Sequence, residues 1–130
     1  MINVAVGVIT NYQSQVLLTR RPLHVDGGGL WEFPGGKCEA NESALEALAR
    51  ELQEEVGITV LNAKPLLLVP YDYGHKEVML HVFHVTSFEG EPTMQESQLA
   101  MLWVNKDKLD DYDMPKGNAA IKASIKDLSA

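Results

Sequence analysis

The chain has 130 residues, and its 45% hydrophobic and 22% charged content is typical of one water-soluble globular domain covering residues 1–130. The formal net charge of −7 argues against nonspecific binding to DNA or to anionic membranes, because both need a basic surface. One cysteine, Cys38, excludes an internal disulfide, and no window has the ~20 apolar residues of a membrane span or the pattern of a signal peptide. We therefore expect a cytoplasmic protein.

The N-terminal part of the chain predicts short strands separated by turns. Residues 2–10 are apolar and β-rich, as in a buried strand, and VLLTRR (16–21) predicts a second strand whose position suits a hairpin with the first. PLHVDGGG (22–29) predicts a loop. LWEF (30–33) predicts a short strand that runs into a turn at PGG (34–36).

The strongest helix signal lies between Ser43 and Gly57. Ser43 followed three residues later by Glu46 is a capping-box pattern, and strong helix formers follow it. Gly57 is expected in the left-handed position just past the last turn. Apolar residues spaced three, four and four apart predict one buried face. They are Leu45, Leu48, Leu52 and Val56.

The C-terminal half predicts further strands and a second helix. Residues 58–73 contain one or two strands, EVMLHVFHVTSF (77–88) is a long apolar strand, and LAMLWV (99–104) is another. KGNAAIKASIKDL (116–128) predicts an amphipathic helix. Its inward residues are Ile121, Ile125 and Leu128. Strands outnumber helices, and the helices are far apart in sequence, so we expect a mixed sheet with helices packed on it, in an α/β or α+β sandwich.

Three acids cluster on the first predicted helix. Glu51, Glu54 and Glu55 lie at i, i+3 and i+4, within about one third of the helix circumference. A solvated acidic face is one interpretation, but it predicts interspersed lysines, and none occurs between Lys37 and Lys64. The last turn also disfavours acids by ~0.3–1 kcal/mol each through the helix dipole. Clustered carboxylates suit Mg²⁺ or Mn²⁺ that also holds phosphate groups, which is the second interpretation.

Arg50 is the single basic residue among the six glutamates between Glu39 and Glu55. It lies four residues from both Glu46 and Glu54, so one interpretation is an ordinary salt bridge along the helix. The other is that Arg50 reaches back to Glu42 and holds the loop before the helix in place.

Residues 36–58 carry a long pattern with set spacings: Gly36, five residues, Glu42, seven residues, and then RELxEExGI from Arg50. All nine defined positions over these 23 residues match the box of the Nudix hydrolase family, so the chain is identified as a member by resemblance. The segments AVGVI, TRR, WEFPGGK, EGEP and NAAI further resemble the MutT-like subfamily. This resemblance implies the Nudix fold, a mixed β-sheet sandwiched between α-helices.

The resemblance also implies roles for individual residues, with Mg²⁺ as cofactor and Mn²⁺ as its substitute. The implied metal-binding residues are Gly35, Glu51, Glu54, Glu55 and Glu96, with Gly35 acting through its carbonyl. The implied catalytic residues are Arg50, Glu51, Glu54 and Glu96, with Glu51 the first candidate for the base and Glu96 the second. The residues that brace the box are Gly36, Glu42, Arg50 and Gly57.

Substrate contacts are expected outside the acidic helix. Arg21 would pair with a phosphate, or else be a solvated strand end, and Lys37 is a further substrate-binding candidate. Phe33 would pack on the base, or else belong to the core. Asn118 would read the purine edge with its amide, or else cap the C-terminal helix. Residues 74–79 would line the base pocket.

A transition-metal site formed by histidines is disfavoured. His81 and His84 point to opposite faces of their predicted strand, so they and His75 are not expected to share one ion.

The implied reaction is hydrolysis of 8-oxo-dGTP and related purine triphosphates to monophosphate and pyrophosphate, which would sanitise the nucleotide pool and avoid mutations. One alternative is a Nudix enzyme that prefers CTP or modified pyrimidine nucleotides, because DGGGLWEF (26–33) resembles those relatives too. A noncatalytic base-recognition module is disfavoured, because the box is intact. We expect a small nucleotide as the partner, with no stable nucleic-acid or membrane binding, and a monomer, with a dimer left open.

Overall fold

The computed structural model describes residues 1–128, which form seven strands, two α-helices and two 3₁₀ helices. The strands are β1 (Ile2–Ile9), β2 (Gln15–Arg20), β3 (Trp31–Glu32), β4 (Gly35–Lys37), β5 (Thr59–Asp72), β6 (Glu77–Glu89) and β7 (Ala100–Asn105). The helices are α1 (Ala44–Val56) and α2 (Ala119–Lys126), with 3₁₀ helices at Lys106–Asp111 and Lys116–Asn118. The last two residues of the predicted domain lie outside the described part of the chain. None of the helices in that part is long and apolar enough to cross a membrane.

The strands form two sheets, one of them mixed as the sequence predicts. The four-stranded sheet has the order β4-β1-β6-β5, with β1 parallel to β6 and antiparallel to β4. The three-stranded antiparallel sheet has the order β3-β2-β7. The predicted hairpin between β1 and β2 is wrong, because these strands lie in different sheets and share an isolated bridge at Thr10 and Val16. The physical reason is that β1 is largely apolar and pairs along its whole length with the buried part of β6, from Ile2 with Val78 to Ile9 with Val85.

Residues 58–73, predicted as one or two strands, contain the single long strand β5 at one edge of the mixed sheet. Its pairing with β6 shifts register between Val60 and Ala63 and again between Pro65 and Leu67. Such irregularities bend a long strand, and they let it follow the twist of the sheet. Pro65 and Pro70 are tolerated because an edge strand has one side without ladder partners.

Two apolar layers cover the two faces of β1. Val6 and Val8 belong to the core cluster that contains Ile121 and Ile125 of α2. Ala5 and Ile9 belong instead to the cluster that α1 covers, whose helical members are Ala47, Leu48, Leu52 and Val56. Alternation along β1 therefore places sheet between α1 and α2, which confirms the predicted layers. Each fully buried leucine contributes ~1.5–3 kcal/mol of burial free energy to this packing.

Helix α1 begins and ends as its sequence predicts. Ser43 Oγ accepts from Glu46 N at 3.1 Å while Ser43 N donates to Glu46 Oε1 at 2.8 Å, a complete capping box. Gly57 has φ 70° and ψ 25°, the left-handed conformation that ends a helix. The prediction for Leu45 is wrong, since its side chain is 48% exposed. The first turn lies at the surface, and contact with the core begins at Ala47.

Candidate active site

Two carboxylates of α1 face the segment that leads into β4. Glu55 Oε2 accepts from Gly35 N at 3.3 Å. The backbone of Gly36 lies so close to Glu51 that a Cβ built on it would be 2.7 Å from Glu51 Oε1. The predicted turn at residues 34–36 is therefore only partly correct, because Gly35–Lys37 pair with Val4–Val6 of β1 as a strand. This pairing holds the main chain against the helix, where only a glycine fits.

Arg50 connects the loop before α1 with the acidic face of the helix. Its Nε and Nη2 bind the two oxygens of Glu42 at 2.8 and 2.9 Å, and its Nη1 donates to Glu51 Oε1 at 2.8 Å. Its Nη2 also donates to the Lys37 carbonyl at 3.1 Å. Glu54 lies 3.4 Å away, whereas the carboxylate of Glu46 is engaged in the capping box. The reach back to Glu42 is thus present, together with half of the alternative helical salt bridge.

These contacts shift the pKa values of Arg50 and of its partner Glu42. Its hydrogen bonds with Glu42 lower the pKa of that carboxyl to about 2. The same contacts, together with those to Glu51, raise the pKa of the Arg50 guanidinium. A bidentate arginine–carboxylate pair fixes both partners in orientation as well as in charge. The loop that carries Glu42 is therefore tied to the helix that carries Glu51.

Burial outweighs the compensating charge at the inner carboxylates. Burial, with a smaller contribution from the neighbouring acids Glu32, Glu51 and Glu96, raises the pKa of Glu55 to about 8 against the opposing Gly35 hydrogen bond. Burial also raises the pKa of Glu51 and of Glu32, although Arg50 and Arg21 respectively oppose the rise. Desolvation and like-charge repulsion are the expected causes in a crowded acidic site. Glu32 was not predicted from the sequence, since one acid in a two-residue strand has no periodic signal.

The donor set fits a divalent cation. Partly buried carboxylates at the edge of a backbone segment are hard oxygen ligands, and a cation would relieve the repulsion that raises their pKa values. Within residues 1–128 no three acids, histidines or cysteines are already gathered around one point. Arg50 draws Glu51 and Glu54 toward itself, and the Glu54 side chain is 52% exposed.

Glu96 lies in a loop that binds the end of α1. The loop between β6 and β7 binds the C-terminal end of α1, where Thr93 N donates to Val56 O and Gln95 N donates to Glu55 O, both at 3.0 Å. The exposed carboxylate of Glu96 is close enough to raise the pKa values of Glu51 and Glu55. Glu51, Glu54 and Glu55 thus lie in the second half of α1, Gly35 contacts Glu55, and the loop that carries Glu96 binds the end of the helix.

Arg21 follows β2 directly and faces this acidic group. Its Nη1 binds Glu32 Oε1 at 2.9 Å, and its Nε donates to the Asp26 carbonyl at 2.8 Å. The alternative of a merely solvated strand end is wrong, because the guanidinium is partly buried and paired. Glu32 in turn interacts electrostatically with Glu55, so Arg21 is linked through Glu32 to a candidate metal ligand.

The predicted base-binding residues differ in exposure. Phe33 is 4% exposed and packs in the core cluster with Val6 and Leu18, so the core alternative describes its packing. The side chain of Lys37 is exposed on β4. Asn118 is 9% exposed and precedes α2, yet its side chain makes no cap hydrogen bond, so the capping alternative is wrong.

Two tyrosines that the sequence analysis did not single out lie beside Asn118. A Cβ built on Gly117 would be 2.6 Å from Tyr73 Oη and 3.2 Å from Tyr71 Cγ. The two rings are in contact, with centroids 4.6 Å apart. Tyr73 directly precedes residues 74–79, so the end of the β5–β6 hairpin meets the turn that carries Asn118. Aromatic residues in a strand usually indicate only packing, which is why this signal was missed.

The histidines have separate partners. His84 Nε2 is 2.9 Å from Thr10 Oγ1, and His81 Nε2 is 3.0 Å from Asn3 Oδ1. Each imidazole is therefore satisfied by a neighbouring polar side chain, and the described residues 1–128 contain no histidine metal cluster.

A mixed sheet between two helices, with a glycine segment and an arginine brace beside an acidic helix face, defines the class of Nudix hydrolases. A family model described as NUDIX domain matches residues 5–124, and the chain belongs to this family. Nudix hydrolases generally use a divalent metal and act on phosphoanhydride bonds.

Known relatives place the chain among its MutT-like members. It is 35% identical to the 8-oxo-dGTP diphosphatase of Escherichia coli, over 98% of both chains. It is 32% identical to the CTP pyrophosphohydrolase of Escherichia coli, over 100% of this chain and 95% of the relative. A solved structure from work on MutT of Aliivibrio salmonicida and Vibrio cholerae superposes with a TM-score of 0.85, at 38% identity over 95% of each chain.

Proposed function

We propose that this protein is a divalent-metal-dependent pyrophosphohydrolase that converts nucleoside triphosphates to monophosphate and pyrophosphate and prefers 8-oxo-dGTP. The observation that carries the proposal is the pair of partly buried carboxylates, Glu51 and Glu55, held against Gly35 and Gly36 by the Arg50 brace. The 8-oxo-dGTP diphosphatases among its relatives support the substrate.

The proposed metal-binding residues are the Gly35 carbonyl, Glu51, Glu54, Glu55 and Glu96, with Mg²⁺ as the ion and Mn²⁺ as its substitute. When bound, the cation neutralises phosphate oxygens and makes water a better nucleophile. The carboxylates supply hard oxygen ligands, and because the pKa of Glu55 is raised to about 8, cation binding would displace its proton as well as relieve repulsion.

The proposed base is Glu51, with Glu96 as the second candidate. A carboxylate that accepts a proton from the attacking water must be well oriented, and its pKa should lie near the working pH. Burial moves the pKa of Glu51 in that direction, and the 2.8 Å contact with Arg50 Nη1 fixes one of its oxygens. Arg50 thereby contributes to catalysis through Glu51, while Glu42, Gly36 and Gly57 maintain the loop and the helix end.

The attack is proposed at the β-phosphorus, which is the phosphorus of the scissile α–β anhydride that lies farther from the sugar. Arg21 would release Glu32 and bind the phosphate chain instead. The exposed Lys37, at the end of β4, would add a second positive charge. Phe33 would support the site from the core. Two positive side chains beside an acidic metal site can hold a highly charged substrate without making the whole protein basic.

Asn118 is proposed to read the base. Its amide offers both a donor and an acceptor, which matches the O6 acceptor and N7–H donor of 8-oxoguanine. Unmodified guanine presents an acceptor at N7, so one polar group would remain unmatched at a cost of ~1–3 kcal/mol. The side chain is 9% exposed and free of a capping bond, which leaves its amide available for this contact.

A pyrimidine preference is the second candidate function, supported by the full-length match to a CTP pyrophosphohydrolase. The discriminating experiment is kcat/KM with Mg²⁺ on 8-oxo-dGTP, dGTP, CTP, ADP-ribose and a dinucleoside polyphosphate, repeated with Mn²⁺. We expect 8-oxo-dGTP to exceed dGTP by about 5–150-fold, the equivalent of one mismatched hydrogen bond. Equal rates on these two nucleotides would refute the sanitising function, and a preference for CTP would establish the alternative.

The site of attack is tested in ¹⁸O-labelled water. The label is expected in pyrophosphate, and label in the monophosphate would contradict attack at the β-phosphorus.

We further propose one domain over residues 1–130, acting as a monomer in the cytoplasm without stable nucleic-acid binding. A nucleotide-pool enzyme needs only its small substrate as a partner, and the net charge of −7 opposes binding to DNA. Sedimentation at micromolar concentration tests the monomer.

A further inference from the structure

Gln98 joins the Glu96 loop to helix α1 through both ends of its side-chain amide. Its Nε2 donates to the Glu55 carbonyl at 2.8 Å, and its Oε1 accepts from the Glu96 backbone N–H at 2.9 Å. A main-chain carbonyl only accepts and a main-chain N–H only donates, so these two partners fix the orientation of the amide. One side chain therefore connects the main chains of two acidic residues in the site.

The accepting carbonyl of Glu55 belongs to the last turn of α1. Carbonyls at a helix C-terminus lack helical donors and must find other partners, and this turn contains no basic residue. Gln95 N also donates to the Glu55 carbonyl, at 3.0 Å, and Thr93 N donates to that of Val56. The loop thus satisfies the end of the helix on which the candidate metal ligands lie.

The loop is anchored on both sides of Glu96. Gln95 N binds the helix before it, and Leu99 N donates to the Arg20 carbonyl at 2.9 Å after it. Between these anchors the main chain of Glu96 donates to the Gln98 side chain rather than to a main-chain carbonyl. The Gln98 amide is therefore the side-chain link that ties the main chain of Glu96 itself to α1.

We propose that Gln98 is a positioning residue for Glu96, which holds the Glu96 carboxylate beside Glu51 and Glu55 and so sets the divalent-metal affinity of the site. Its catalytic consequence rests on the proposed function. The hydrogen bonds of Gln98 go to main-chain atoms of Glu55 and Glu96 and not to their carboxylates. Its contribution is the reduced freedom of the loop before a cation binds, which is a form of pre-organisation.

The test compares Gln98→Leu with the matched variant Gln95→Leu. Both residues are glutamines of the same loop, but the Gln95 side chain hydrogen-bonds Thr93 within the loop, and its link to Glu55 is made by backbone that the substitution retains. In the metal-free protein, amide exchange at Glu96 is expected to become about tenfold faster in Gln98→Leu and to remain unchanged in Gln95→Leu. Direct titration should show Mn²⁺ binding about tenfold weaker only in Gln98→Leu.

Kinetics with a double-mutant cycle separates positioning from a general structural effect. At a Mg²⁺ concentration well below saturation, Gln98→Leu is expected to lower kcat about tenfold while KM for the nucleotide changes less than about twofold. In a Glu96→Gln background the same substitution should change kcat less than about twofold, because the group that it positions has been neutralised. A full tenfold loss in that background would overturn the proposal, as would unchanged Mn²⁺ affinity in the single variant.

A second variant covers the case in which Gln98→Leu reduces folding. Gln98→Glu retains an acceptor for the Glu96 N–H but loses the donor to the Glu55 carbonyl, so Glu96 should stay protected from exchange while Mn²⁺ affinity falls. Loss of protection at Glu96 with normal Mn²⁺ affinity would overturn the proposal. Exchange and Mn²⁺ titration need no nucleotide, so a wild-type protein without triphosphate hydrolysis would refute the proposed function and still leave the role of Gln98 measurable.

Discussion

Substitution of Gly36 by alanine should impair catalysis far more than it impairs folding. The new Cβ would lie 2.5 Å from Glu51 Oε2, whereas ordinary contacts begin near 3.4 Å, so the carboxylate must move by about 0.9 Å. The backbone at Gly36 is not among the glycines with left-handed φ, so alanine is conformationally acceptable there. The whole perturbation therefore falls on Glu51 and on its contact with Arg50.

The expected magnitude follows from that displacement. A misplacement of ~1 Å in a reacting group can cost about 10²-fold in rate, which corresponds to ~2.7 kcal/mol of transition-state stabilisation. Stability should change by less than ~1 kcal/mol, because the Arg50–Glu51 pair is partly solvated and alanine reduces the freedom of the unfolded chain. Kinetic constants with 8-oxo-dGTP and urea unfolding of the same sample measure the two quantities.

Gly7→Ala provides the matched control. Its Cβ would also face α1, but it would meet Leu48 and Leu52 methyl groups at 3.2 Å instead of a carboxylate. We expect it to cost ~1 kcal/mol of stability through overpacking and to retain its turnover rate. Wild-type kcat in Gly36→Ala, with the fold intact, would refute the view that the close approach of this backbone positions a catalytic carboxylate.

Three further predictions concern the acidic residues. Glu51→Gln should lower the rate of Mg²⁺-dependent turnover at least about 10³-fold while the fold is retained. A normal rate in this variant would show that Glu51 has no catalytic role. The pKa of Glu55, raised to about 8, means that the metal-free folded protein holds a proton that the unfolded chain releases near pH 4.5. Its stabilising contribution is complete below pH 4.5 and is lost as pH rises toward 8, by up to ~1.4 kcal/mol per pH unit, and Glu55→Gln should flatten that slope in urea titrations. The contribution of Glu42 to stability has the opposite dependence on pH. Because the pKa of Glu42 is lowered to about 2, its ionised carboxylate stabilises the fold above pH 4.5, and this contribution is lost as pH falls toward 2. The unfolding free energy of Glu42→Gln should accordingly fall less between pH 4.5 and pH 2 than that of the wild type. An equal fall in both proteins would contradict the proposed brace between Arg50 and Glu42.

Local chemistry made the helix and its brace predictable. The capping box at Ser43, the end at Gly57 and the reach of Arg50 to Glu42 all follow from residues close in sequence. Spacing alone also placed Glu51 and Glu55 on one face. These features need no knowledge of distant parts of the chain, and the structure contains each of them.

Features that depend on distant partners were less predictable. The parallel register of Ile2 with Val78 joins segments far apart in sequence, so a local pattern suggested a hairpin that does not form. Leu45 fits the helical stripe, but its exposure depends on where the sheet ends beneath the first turn. Glu32 and Gln98 have no local signal, because their importance comes from Glu55, which folding brings to both.

The irregular pairing of β5 has a consequence for behaviour at high concentration. This 14-residue strand has an open side at the boundary of its sheet, and such a boundary is a template on which a second polypeptide could add and start a fibril. Two prolines remove amide donors, and the shifts of register interrupt the flat repeat that stacking requires. The same bends that let β5 follow the sheet therefore also protect the molecule against amyloid-like growth.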